Sequence, residues 1–175
     1  MEPAKLVLLC IAAVCGFAAC LGEVSSLVCP EAFTLGRPKA FGDLPAPVLG
    51  PLWGVIDFVY PATIVGVALA MASHFGHRPS VKAFFFRKPL LGHAVFMAVS
   101  SGIAGVIGWF AVRSGAYPII GPLRDALLPE RHAILGAVWW AGFGAHAANL
   151  IGGITIAAWI WRKRAVFERM VRERE

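Results

Sequence analysis

His132 and His146 stand fourteen residues apart in "ERHAILGAVWWAGFGAHAANLIGG", an otherwise almost wholly apolar stretch from Glu130 to Gly153. A helix turns 100° per residue, so fourteen steps return to within about 40° of the start after a rise of about 21 Å. That spacing lets one membrane helix ligate two stacked haems. Two haems also require a facing pair of histidines at matching heights. The remaining histidines are His74, His77 and His93. Fourteen residues before His74 is Tyr60, and fourteen after His93 is Ile107. Met71 and Met97 fall too near the opposite face to complete a single haem with His146, and no CxxCH attachment motif is present. A haem is therefore expected only where a partner chain shares it. A metal ligand role for either histidine is left open. The plainer expectation is that His146 hydrogen-bonds across a helix interface, as histidines in membranes commonly do.

Asp57 is the single acid inside an apolar run. It lies four residues beyond Trp53, so about 6 Å deeper than that interfacial ring. That depth is close to the one expected for His146. Acids at such positions rarely face lipid. Tyr60, Thr63 and Asn149 could complete an intramembrane polar cluster with Asp57 and His146, and Pro61 would free a backbone carbonyl beside it. A carboxylate beside an imidazole is a proton-transfer pair. The alternative places Asp57 in the headgroup region, where its charge costs little. A second candidate group is Glu31, Glu130, Arg131 and His132. It offers an ion pair, or ligand types suited to a metal, without any tight ligand spacing.

The elements that position these residues follow from composition. The 175-residue chain is 58% hydrophobic and 15% charged, where a soluble domain is nearer half apolar and a quarter charged. Apolar runs at about 6–21, 52–73, 94–112 and 133–161 are each long enough, or nearly so, to cross a bilayer as a helix. Only helices satisfy the backbone in lipid at that length. The expected fold is all-α: an integral membrane four-helix bundle forming one transmembrane domain over 1–175.

Eleven of the sixteen Lys and Arg residues fall before the first run, in the 74–93 loop or in the 162–175 tail. The positive-inside rule then puts both termini in the cytoplasm and the loops 22–51 and 113–132 outside. The first run also resembles a signal peptide, with "FAAC" ending at Cys20, but Phe17 occupies the position where lipoprotein sites carry Leu. Its apolar run is also long for a signal, so it reads as a span.

Small residues at four-residue spacing, Gly144, Ala148 and Gly152 beside Gly153, and Ser101, Gly105, Ala104 and Gly108, predict close packing of the third and fourth spans. Phe33, Leu35 and Phe41 in the Pro- and Gly-rich first loop predict an ordered cap on the outer end, and "RDALLPER" a short interfacial turn. Cys10, Cys15 and Cys20 do not share a helical face and read as small apolar fillers, while Cys29 could pair only with Cys20. "SVKAFFFRKPLLGH" and the stripe Val166, Phe167, Met170 and Val171 predict interfacial segments facing anionic lipid, the second as a basic amphipathic C-terminal helix. That helix could dock a partner or simply continue the fourth span.

"CPEAFT" and "GRPKAFG" after the first span, with "PERHA" and "WWAGFGAHAANLIGG" in the fourth, resemble a family of small four-span bacterial membrane proteins. That family carries a PE-aromatic-FT motif after span one and a Gly-Gly last span. Here Ala32 stands at the aromatic position, and Asn149 where a Tyr is usual. The resemblance implies a bacterial inner-membrane setting and no particular activity.

No nucleophile elbow, phosphate loop or zinc-protease helix is present, nor is there a basic stripe of the kind that binds nucleic acid. The function expected is that of a non-enzymatic membrane protein, an accessory or structural subunit. It would contact a membrane-protein partner or a second copy through its Gly-rich faces and outer cap. The alternative is a redox or proton-handling subunit using His146 and Asp57, with a haem, quinone or metal shared with a partner chain. A small transporter or an enzyme acting at the outer mouth ranks behind both.

Overall fold

A computed structural model describes residues 2–172, with the side chains of 3–169 except those of 83 and 122. Six helices appear in chain order: α1 (Glu2–Val28), α2 (Glu31–Thr34), α3 (Ala46–His74), α4 (Arg87–Arg113), α5 (Pro122–Ala126) and α6 (Pro129–Arg172). A 3-10 turn, Ala83–Phe86, leads into α4. No strand occurs among the described residues. Four helices, α1, α3, α4 and α6, are long and apolar enough to cross a membrane.

Each long helix runs beyond the apolar core that marked it in the sequence. α1 continues to Val28 because no breaker precedes Pro30, which pushes its neighbour out of the helical region. α3 opens with a proline in its first two positions and runs on through Pro51 and Pro61. Of the alternatives for the C-terminal helix, continuation of the fourth span is the one observed. α6 is one helix of 44 residues, since no Gly or Pro follows Gly153 to end it. Met170 and Val171 of the expected stripe lie outside the described side chains, and Arg174 outside the described residues. "RDALLPER" is split: α5 takes "PLRDA" and α6 already begins at Pro129.

The four long helices form two antiparallel pairs, α1 with α3 and α4 with α6. Contact between α3 and α6 joins the pairs, while α1 and α4 touch sparingly. Close backbone approach builds both pairs. In the first, Gly50 lies against the α1 backbone at Gly22, and a Cβ on it would come within 2.7 Å of the Ser26 side chain. In the second, a Cβ on Gly108 would lie 2.5 Å from the Trp140 side chain and 2.7 Å from the Gly136 carbonyl oxygen. The expected packing residues Gly105 and Gly144 sit in that same α4–α6 contact, against Ala141 and Ala104. Gly152 faces His93, and Gly153 meets Val65 of α3. The Ser101 hydroxyl donates to the Ala141 carbonyl across the pair at 3.0 Å. Outward-facing Leu8, Ile64, Ile103 and Ile154 are all more than half exposed.

The two ends differ. At the cap end, Phe33 of α2, Ile119 and Leu127 of the second loop, and Leu135 of α6 form a small apolar core with Cys29. Phe41 packs edge-on against Trp53 at 5.6 Å. At the basic end, Arg164 is 1% exposed. Its guanidinium donates to the carbonyls of Ala72 (2.6 Å), Arg78 (2.7 Å) and Pro79 (2.8 Å). It thereby satisfies the Ala72 carbonyl in the last turn of α3, which lacks a helical partner, and ties the following loop to α6 through Arg78 and Pro79. Arg78 pairs with Glu168 at 3.2 Å and lies over the Trp161 ring.

The α4–α6 contact yields a direct test. Gly108→Ala overpacks it and should lower stability by about 1–3 kcal/mol, read as a fall in thermal midpoint in detergent. Gly142→Ala, where a Cβ meets nothing within 4 Å, should leave the midpoint level or raise it. Equal midpoints for the two variants would contradict the close approach.

Candidate functional site

The strongest constellation lies at the cap end, between α1, α3, α6 and the first loop. A cavity of about 680 Å³ opens there. Arg37, Asp57 and His146 all line it. α3 carries Asp57 one turn past Trp53, and α6 carries His146. The cap loop brings Arg37 over both. The Arg37 guanidinium grips the Asp57 carboxylate with two hydrogen bonds, Nη1 to Oδ1 at 2.9 Å and Nη2 to Oδ2. It also lies 5.1 Å from the centre of the Trp53 ring, a cation–π contact that fixes its plane. Both members are about a quarter to a third exposed, at 26% for Asp57 and 33% for Arg37. Asp57 thus has a specific charged partner in the cap loop.

His146 is held differently. Its ring stacks on Phe58, with centroids 3.9 Å apart and planes 7° from parallel. Among the described residues no protein group hydrogen-bonds to its ring nitrogens, and no second histidine lines the cavity. The interfacial hydrogen bond expected of it is made instead by His93. His93 Nε2 lies 3.1 Å from Asn149 Oδ1, with both residues buried between α4 and α6. The absent side chain of Gly152 leaves room for the His93 ring.

The expected cluster of Asp57, Tyr60, His146 and Asn149 is therefore divided. Asp57 and His146 share the cavity. Asn149 belongs to His93, since it lies one turn deeper along α6 and faces α4. Tyr60 points outward, 78% exposed. The Thr63 hydroxyl bonds back to the Val59 carbonyl at 2.7 Å. Phe33, Trp139 and Phe143 give the cavity an apolar wall, and Tyr117 adds a phenol.

The second candidate group also separates. Arg131 makes a two-point ion pair with Glu31, at 2.9 and 3.3 Å, and reaches the Val28 carbonyl at 3.2 Å. Glu130 is exposed, and His132 Nε2 sits 3.1 Å from the Arg124 carbonyl. Among the described residues no three His, Cys, Asp or Glu side chains gather as a metal-binding group. The Cys29 thiol donates to Glu31 Oε2 at 3.4 Å and is not bonded to Cys20. Arg131 holds the Glu31 carboxyl below its ordinary range. Burial first, and the neighbouring carboxylate after it, push the Cys29 thiol up to about 11.

Compared with known proteins, the chain matches no protein family, no curated protein and no solved structure.

Cys29 reports on the cap clasp. In a Cys20→Ser background, Cys29 should resist thiol labelling at pH 8. Arg131→Gln should raise its labelling rate about tenfold, the equivalent of losing about 1.4 kcal/mol from a charged hydrogen bond. An unchanged rate would show that the ion pair does not hold the cap. The pair has a pH signature as well. Because the folded Glu31 value is depressed, its contribution is complete above about 4.5 and is lost as pH falls through the folded value. Thermal midpoints should be level from neutral pH down to about 5 and then drop, and Glu31→Gln should remove that component of the drop.

Proposed function

We propose that this chain is a non-enzymatic, multi-pass membrane protein that binds a small amphiphilic molecule at its cap end. The polar head, or a proton carried on it, is taken by His146 beside the Arg37–Asp57 pair. One observation carries this reading: a single cavity of about 680 Å³ holds all three side chains against an aromatic wall. That volume is within the ordinary range of small-molecule sites, about 300–1,000 Å³. The imidazole is rigidly stacked and its nitrogens are left to a ligand, which is the arrangement a proton-accepting or hydrogen-bonding site needs. The charge pair supplies a fixed dipole beside it.

The orientation proposed is cap outside and both termini in the cytoplasm, supported by the excess of Lys and Arg at the basic end. The "CPEAFT" and "PERHA" likeness adds a bacterial plasma membrane as the setting.

A role within a larger assembly is a second reading, and one feature favours it. The Gly-rich faces first assigned to partners are used inside the chain. However, the sparse α1–α4 contact leaves an apolar crevice of about 590 Å³ lined by Phe17, Cys20, Gly102 and Trp109. A partner helix could enter there.

The binding role can be checked by extracting the protein from its native membranes and identifying co-purified small molecules by mass spectrometry. A compound retained by wild type and lost from both His146→Ala and Arg37→Ala supports it. Identical extracts from all three proteins, each folded by thermal melt, would remove it. Migration as a lone monomer in blue-native electrophoresis would count against the assembly reading.

A further inference from the structure

A cavity of about 640 Å³ lies at the opposite, basic end, between the 78–82 loop, the 3-10 turn and the last turns of α6. Its floor is apolar and closed: Phe86 is 1% and Ile160 3% exposed. Its outer wall carries Phe85, Trp159 and Phe167, each at least half exposed at 67%, 50% and 51%. Lys82 and Lys163 are exposed side chains that also line it, one from the loop and one from α6. The wall is built rather than incidental. Buried Arg164, itself a lining residue, binds the carbonyls of Ala72, Arg78 and Pro79 and so fixes the loop that presents Lys82.

We propose that this cavity is a site for one anionic phospholipid. An acyl chain would lie along Phe85, Trp159 and Phe167, and the headgroup phosphate would rest between Lys82 and Lys163. Charge complementarity selects the occupant. Lys82 and Lys163 both line the cavity, and Lys163 Nζ lies 6.0 Å from the centre of the Trp159 ring, where the apolar sequence of α6 gives way to the charged run Arg162, Lys163 and Arg164. Lysines there attract anionic headgroups. Exposed aromatic rings below them suit hydrocarbon and the interface rather than water. A free phosphate would use the lysines and leave the aromatic wall bare. The site rests on the membrane reading of the four helices but is independent of the cap-end cavity.

The test is competition in neutral detergent. Purified full-length protein is mixed with equal amounts of phosphatidylglycerol and phosphatidylcholine, and native mass spectrometry counts the lipid retained. Phosphatidylglycerol, whose net negative charge phosphatidylcholine lacks, should be retained over phosphatidylcholine by about thirtyfold, as expected for two lysines each favouring an anionic headgroup. Lys82→Gln with Lys163→Gln should bring the two lipids to parity. Lys39→Gln at the cap end should leave the preference intact. Equal retention by wild type would overturn the proposal without any variant. So would a preference that survives the double substitution. Retention of inorganic phosphate with the same lysine dependence, and of no lipid, would also overturn it. Loss of the cap-end ligand in His146→Ala has no bearing on these outcomes.

Discussion

Close approach of helix backbones is the constraint on which the rest of this structure depends. In lipid there is no gain from hiding leucine from water, so helices associate where small residues admit dispersion contact and short polar bonds. Gly22 against Gly50, and Gly108 against Gly136, turn four helices into two tight pairs. The pairs then meet along α3 and α6, where Gly153 packs on Val65. Two consequences follow from that asymmetric assembly. α3 and α6 converge on the cap end with Asp57 and His146 on adjoining faces. α1 and α4, lacking an equivalent glycine contact, leave an open apolar crevice.

Within this apolar frame nearly every interior polar group has a partner that fixes its direction, since an unpaired one is costly in a low-dielectric setting. Asp57 has Arg37, His93 has Asn149, Ser101 has a carbonyl, and Arg164 has three. The His93–Asn149 pair still leaves His93 Nδ1 and Asn149 Nδ2 buried without a partner, and His146 makes no hydrogen bond to another described residue. It is held by ring stacking alone, which fixes its plane while leaving its nitrogens uncommitted. A histidine placed only for packing would do better as the Phe or Leu that such a site admits. That contrast with His93 singles it out within the chain.

The spans and the small-residue ladders were legible because both are periodic and local: a run of apolar residues and a four-residue repeat describe one helix and the face it buries. Partnerships across the chain were not. Asn149 was grouped with Asp57 on depth alone, yet depth does not specify which neighbouring helix a residue faces. The apolar run of the third span begins near Ala94, which leaves His93 in the 74–93 loop. In fact α4 begins at Arg87, so His93 sits within the helix and reaches Asn149. Arg37 was passed over as a loop cation. The signal available was chemical rather than positional. An acid inside a span calls for a cation, and only Arg37 and Lys39 occur in the loop immediately before it. Arg164 was submerged in a basic run, and nothing in "WRKRAVFER" distinguishes the arginine that turns inward to carbonyls from those that face solvent.

The pairing of Arg37 with Asp57 also decides what the cap-end cavity can tell apart. Their charges cancel and their hydrogen-bonding edges face each other, so neither alone sets the sign of the site. The remaining variable is the protonation of His146. With a neutral imidazole the cavity carries no net charge, and with an imidazolium it carries one positive charge. Under the proposed role, an acidic ligand arriving with its proton and one arriving as an anion to a protonated site are the same charge state of the complex. Only the route of the proton differs between them. Under that proposal the site would respond to the proton and the ligand together, because desolvation by the aromatic wall penalises any occupied state that retains an unpaired charge.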